Sequence, residues 1–418
     1  MKSQNVQFSC QFTVFIKDCK LDTIVSTFLS LQLRLFSIFA MIVLKAAVAQ
    51  YGELRELLES LGIAVPPSAH LIWKTHGGSN RRISVQTVLG VASIPQLQIK
   101  DSSRGGHKYD LCRLLLGLLP LSRISEDAVR RLGVTGALTS FRSSSAILGT
   151  VGVRIAHSTI WHCVQKSGQA ISYQVDPLAL GIGQADGTGV PTNGSGKRGS
   201  ELKVLIQKNT LEQTARTHSY WRVAGLDIGD YNGGWNGLFE PSLDTIRSFP
   251  SFNLMSDGDD SILKGLPDVV NLTIQRCLWH IPHQFIYVLW KDKVVRESPE
   301  WKDAMSRIYR IVSTCRLTES TAIDAFVAAR REELGRLVAL CESKGWSTSA
   351  HYLSAAAPNL FTNLQNRLEG KASSYVERVM RTVNTRINYG KWSRAGALNV
   401  NKIRLGFYYN GYAADLLE

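Results

Sequence analysis

The chain has 418 residues, with 48 Lys and Arg against 34 Asp and Glu, a net charge of +14 at neutral pH. That length allows two or three domains, and 44% hydrophobic with 20% charged residues is ordinary for a globular protein. The positive excess favours a polyanionic partner, nucleic acid before an anionic membrane, although basic enzymes with small substrates share such a balance. Seven scattered cysteines with no C-x2-C pair argue against a disulfide framework and against a cysteine-rich zinc module, and fit a reducing, cytoplasmic setting.

Residues 26–50 are very apolar, but the uncharged run "LFSIFAMIVL" between Arg34 and Lys45 has only ten residues. A helix needs about 20 to span a bilayer, so no membrane association is expected and the run reads as a buried or oligomer-forming helix. Leu54, Leu57, Leu58 and Leu61 continue in helical period until Pro66 and Pro67 end the block. Residues 83–101, rich in β-branched side chains, read as a β-hairpin broken near Gly90, and 102–110 as a loop. Residues 111–171 read as short helices separated by glycines. Within them, 140–168 has the spacing of a helix-turn-helix, with a second helix starting near His157. In that reading Arg154 and His157 face DNA; the alternative is a plain three-helix bundle with Ile160, Trp161 and Val164 in its core.

Beyond about residue 178 the pattern changes. "ALGIGQAD" (179–186), "ELKVLIQKN" (201–209) and "YWRVAGLDIGDY" (220–231) are strand-like, and 240–249 looks helical. "FNLMSDGDD" (252–260) and "NLTIQRCLWHI" (271–281) are further strand candidates, 282–370 reads as helical, and 371–396 as one last helix. Such an order describes an α/β fold with a mixed sheet. The expected division is 1–80, helical; 81–172, hairpin plus helical DNA-binding region; and 173–418, a catalytic domain with a helical insertion at 282–370.

The last segment carries six bases, Lys371, Arg378, Arg381, Arg386, Lys391 and Arg394, around the single acid Glu377. Asp186 and Asp257 each end an apolar run and are followed by glycine, so each is expected at a strand end, facing the crevice where α/β folds bind ligands. Asp259 and Asp260 crowd the second motif; Asp257 is preferred for its place at the strand end. Three carboxylates suit Mg²⁺ or Mn²⁺, and two such ions about 3.5–4 Å apart promote phosphoryl displacement. The surrounding bases fit a phosphodiester substrate. "PTNGSGKRG" (191–199) lacks two anchors of a phosphate loop and reads as a basic loop, with Lys197 and Arg198 beside Asp186.

These motifs together resemble the DDE transposases of bacterial insertion sequences, in the Mutator-like branch with an RNase H-like catalytic core. "DGTGVP" resembles the first-aspartate motif, "SDG" the second, "CLWH" the C-x2-H signature through Cys277 and His280, and "YVERVMRTVNTRINYGKWSRAGAL" the glutamate helix. The spacings of 71 residues from Asp186 to Asp257 and 120 from there to Glu377 are similar to that family's. The resemblance implies cleavage of element ends and transfer of the freed 3′-hydroxyl to target DNA. It also implies Asp186, Asp257 and Glu377 as metal ligands, Cys277 and His280 as active-site support, and a homodimer or higher multimer on double-stranded DNA at the nucleoid. A non-catalytic DNA-binding derivative, or a nuclease of the same core without strand transfer, remains the alternative.

Overall fold

A computed structural model describes residues 27–28, 31–32, 34–42, 46, 51, 53–74, 82–87, 90–103, 106–115, 118, 124–151, 153–193, 199–230, 234–313, 322–368 and 375–413. The chain divides into two compact units, Met1–Ser167 and Gly168–Glu418. Within the apolar 26–50 segment, residues 34–42 are helical, with Ala40 buried and Phe39 half exposed. Among the described residues, no helix is long and apolar enough to cross a membrane.

In the first unit, α1 (Leu54–Ser60) buries Leu57 and Leu58. A three-stranded antiparallel sheet has the order β1 (Leu71–Trp73), β4 (Gln98–Asp101), β5 (Lys108–Asp110), and β2 (Arg82–Thr87) pairs with β3 (Gly90–Pro95) as a hairpin. The expected 83–101 hairpin therefore stops at Pro95, which has no N–H to continue the ladder, and Gln98–Asp101 joins the other sheet. The loop expected at 102–110 ends in a strand too short to show a period.

After α2 (Leu111–Leu115) come α3 (Glu126–Leu138), α4 (Phe141–Thr150) and α5 (His157–Gln169). Ser125 and Ser140 cap α3 and α4, accepting from Ala128 N at 3.2 Å and Ser143 N at 3.0 Å. A Cβ on Gly136 would stand 2.6 Å from Ile160 Cγ2, so glycine lets α3 and α5 approach closely. Ile160 and Val164 are buried, but Trp161 is 38% exposed and leaves the core expected of it. Arg154 and His157 are exposed at the start of α5.

The second unit is a mixed α/β structure built on a five-stranded sheet. Its strands are β6 (Ile182–Val190), β7 (Ser200–Lys208), β8 (Trp221–Asp230), β9 (Phe252–Ser256) and β10 (Leu272–Arg276), in the spatial order β10-β9-β6-β7-β8. β6, β7 and β8 pair antiparallel in series, while β9 runs parallel to β6 and β10 parallel to β9. Ala185, Leu205 and Ala224 pack with Trp235, Phe239, Ile246 and Ile262 in one core. The α6 (Leu211–Thr217) helix joins β7 to β8; α7 (Asn236–Phe239) and α8 (Leu243–Ser248) join β8 to β9; and α9 (Asp260–Lys264) joins β9 to β10.

Five helices follow: α10 (His280–Lys291), α11 (Pro299–Val312), α12 (Ile323–Ser343), α13 (Ser347–Ala356) and α14 (Thr362–Gln365). They bury their own apolar faces on one another, through Phe285, Leu289, Ile308, Leu334, Leu337 and Leu353. Gln275 ties this body to the sheet. It is fully buried, donates from Nε2 to Leu360 O at 2.7 Å and accepts from Asn363 N at 2.9 Å.

The expected final helix is two helices, α15 (Val376–Ile387) and α16 (Arg394–Tyr409). Between them Gly390 adopts φ +105°, which a side chain resists. Trp392 stitches that turn to the end of β6: its N–H donates to Pro191 O at 3.0 Å and its carbonyl accepts from Asn193 N at 2.8 Å.

Candidate metal centre

Asp186 lies within β6, paired with Val204, rather than at a strand end. β6 pairs with β9 only through Gln184↔Met255, so beyond that point one edge of β6 is open. Gln184, Asp186 and Thr188 alternate onto one face. Gln184 Oε1 accepts from Val376 N at 2.9 Å, and Thr188 Oγ1 donates to Asn384 Oδ1 at 3.0 Å. Four strand residues rise about 13 Å and eight helix residues about 12 Å, so α15 and β6 run in step, and the side chains of Glu377 and Asp186 reach each other across them.

Helix α15 buries Val376, Val379, Met380, Val383, Arg386 and Ile387. That spacing is one helical stripe, and Glu377 sits at its margin with its carboxylate partly covered.

Asp257 directly follows β9, two residues beyond its last pair with β6, Gln184↔Met255. The Asp257 carboxylate accepts from Asp259 N at 3.0 Å and stands outside the tightest group, though its charge reaches Asp186. The turn that follows is crowded. Gly258 has φ +90°, and a Cβ there would lie 2.0 Å from Arg276 Nε. Arg276 also donates to Gly258 O at 2.7 Å. Gly258→Ala should therefore cost about 2–3 kcal/mol, read by urea denaturation, because it strains φ and expels the Arg276 side chain.

The "CLWH" motif forms the turn from β10 into α10. Cys277 N donates to Ser256 O at 2.7 Å, and His280 N to Cys277 O at 3.1 Å. Cys277 is buried. His280 does more than was expected of it. Its Nε2 is 3.0 Å from Glu377 Oε1, and one ligand atom each of Asp186, His280 and Glu377 lie within 4.8 Å of one another. The sequence signal was present: a His at the first turn of a helix that follows the strand next to β9.

The electrostatics are those of two carboxyl groups crowded around one imidazole. Burial pushes Asp186 up to about 7; His280 opposes this and the Glu377 charge adds to it. The contact with His280 holds Glu377 below the usual range. Burial disfavours the charged ring of His280, yet Cys277 and Glu377 outweigh it and hold its pKa up to about 10. Glu377 Oε1 is buried without an aligned hydrogen-bond donor. Two partly buried carboxyl groups and an imidazole with ligand atoms within 4.8 Å of one another are a set that could hold a divalent cation. The oxygens of Asp186 and Glu377 suit Mg²⁺ or Mn²⁺; the His280 ring, protonated at neutral pH, joins them as a ligand only on losing its proton.

Among the candidate phosphate contacts, Arg378 and Arg381 are exposed on α15, and the Arg381 charge acts on Glu377. Lys391 is exposed in the turn before α16. Arg394 is exposed but held, donating to Ser200 Oγ at 3.0 Å and paired with Asp230. Arg386 departs from the expectation. It is 7% exposed, with its guanidinium 4.8 Å from the Trp392 ring centroid, and burial draws its pKa down to about 10. Arg386 therefore supports the α15–α16 turn rather than offering a phosphate contact. Lys197, Arg198 and Lys371 lie outside the described residues.

Compared with known proteins, the chain matches no family model and no curated relative.

Proposed function

We propose that this protein is a metal-dependent phosphoryl-transfer enzyme acting on DNA, a DDE-type transposase with an RNase H-like core. The observation that carries the reading is the meeting of Asp186 and Glu377, 191 residues apart in the chain, with His280 and with Asp257 alongside. The sheet order supports it. Three antiparallel strands in series, with two parallel strands added beside the first, is the order such a core calls for.

In this reading Asp186, Asp257 and Glu377 hold one or two Mg²⁺ or Mn²⁺ ions. Such ions supply Lewis-acid stabilisation of the charge developing on the phosphate. His280 orients the Glu377 carboxylate through the 3.0 Å contact. The Asp186 carboxyl holds a proton while no cation is bound and gives it up on binding. Arg378 and Arg381 neutralise flanking phosphates and make binding salt-dependent. Double-stranded DNA is the partner, and two ends held together require a dimer or larger assembly.

The test is a strand-joining assay on labelled duplexes taken from the DNA bordering the gene, with Mn²⁺. Wild type should cleave and join. Asp186→Asn and Glu377→Gln should each lose about 10³-fold or more, and His280→Asn about 10–100-fold. Cleavage without joining would favour the nuclease alternative. DNA binding without cleavage would favour the non-catalytic derivative, and activity that survives Asp186→Asn would remove the metal mechanism.

A further inference from the structure

Helix α10 is apolar on two opposite sides. Its inner face, Ile281, Pro282, Phe285 and Leu289, is buried. Its outer face is expected to be polar, yet it carries Trp279, His283, Tyr287 and Trp290. Trp279 is 46% exposed, Tyr287 67% and Trp290 74%. At spacings of four, four and three residues, these side chains fall within roughly 80° of one another around the axis and span about 16 Å.

The ridge begins at the metal centre. Trp279 directly precedes His280, and its ring stacks on His283 with centroids 3.9 Å apart. His283 Nδ1 lies 3.0 Å from Trp279 O, which holds the stack in place. At the far end Tyr287 and Trp290 line a cleft of about 340 Å³ with Ile286, Val294, Arg296 and Trp301.

We propose that this aromatic ridge is a stacking track for unpaired nucleic acid, leading a single strand away from the metal centre. The proposal rests on the phosphodiester reading of that centre. Three features favour a nucleic-acid strand over a protein partner. The exposed side chains are rings, and every base offers a π-face to a ring. Neighbours four residues apart on a helix are about 6 Å apart, enough for a base to lie against each ring. Exposed cations, Lys291, Lys293 and Arg296, stand at the far end. Of the nearby acids, Glu297 pairs with Lys302 at 3.7 Å and Asp292 accepts from Thr348 N at 3.1 Å and Ser349 N at 2.7 Å, while Glu300 is exposed beside Trp301.

The experiment measures binding of a short fluorescent oligothymidylate, and of a duplex of equal length, to the full chain in EDTA. Trp290→Ala and Tyr287→Ala should each weaken single-strand binding by about tenfold and leave duplex binding nearly unchanged. Tyr287→Phe, which keeps the ring, should bind as wild type. Both residues are so exposed that truncation leaves the fold intact, which circular dichroism checks. Alanine variants that bind the single strand as tightly as wild type overturn the proposal. So does a wild-type dimer that Trp290→Ala converts to monomer with nucleic-acid affinity unchanged, since the ridge is then a protein interface. The two readings fail separately. Unaltered single-strand binding by the ridge variants, in a protein whose wild type joins strands, removes only the track. Ring-dependent single-strand binding in a protein that cleaves nothing removes only the catalytic reading.

Discussion

Asp186→Asn should stabilise the metal-free protein and abolish the stabilisation that Mn²⁺ gives to wild type. The folded chain holds Asp186 at about 7, against 3.8 for the free side chain. Between those values the native state binds a proton that the unfolded chain has released. The Asp186 contribution to stability must therefore fall as pH rises from about 4 to 7, while His280, held up to about 10, loses its own contribution as pH rises above about 6.5. The full shift corresponds to roughly 4 kcal/mol, and Glu377 and His280 share the titration, so a gain of about 2 kcal/mol is expected for the variant at pH 8. A cation at 100 times its dissociation constant adds about 2.7 kcal/mol to wild type. Asn offers one neutral oxygen in place of a carboxylate and should gain little. Thermal melts at pH 5 and pH 8, with and without Mn²⁺, read both effects. Equal Mn²⁺ stabilisation of the two proteins would show that no cation uses Asp186.

The second large effect lies in the sheet behind the centre. Lys203 is fully buried on β7, and its Nζ donates to Gly234 O at 3.0 Å. The ammonium lies 3.5 Å from Glu201 Oε2 and 5.3 Å from the Trp235 ring centroid. Glu201 in turn packs against Gly187, where a Cβ would stand 2.6 Å from its Oε1, so this pair backs the strand segment that carries Asp186. Burial pushes the Glu201 carboxyl up, Lys203 opposes that, and the charges of Asp259 and Asp257 add to it. Lys203→Met leaves the partly buried Glu201 carboxylate and Gly234 O without their cation and should cost about 2–4 kcal/mol. A carboxyl with a raised folded pKa loses stability as pH rises through that value. The variant's deficit should therefore be larger at pH 8 than at pH 5. Adding Glu201→Gln should recover most of it, a coupling that urea titrations of the four proteins measure. A deficit that is independent of pH and unchanged by Glu201→Gln would mean that Lys203 acts through packing alone.

Much of the second unit was legible in the sequence. The five strand-like runs each overlap the strand expected of them, because alternation and β-branching are local signals. The helical character of 282–370 was visible for the same reason. Boundaries were less so. Residues 371–396 read as one helix because Gly390 and Trp392 interrupt it without a proline, and the turn is held by Pro191 and Asn193 from far away in the chain. Asp186 read as a strand end because Asp-Gly is turn chemistry. Pairing with β7 overrides that preference and carries β6 on to Val190.

The order of the elements, the excess of bases, and the motifs around Asp186, Asp257, Cys277, His280 and Glu377 are properties of the sequence by itself. They follow from periodicity and residue type over short stretches. Tertiary structure alone decided that His280 stands within 4.8 Å of Asp186 and Glu377, that Asp257 stands just outside that group, and that Arg386 is buried under Trp392. Those outcomes depend on strand register and on how α15 lies along β6, and such pairings between distant segments leave no periodic trace in the chain.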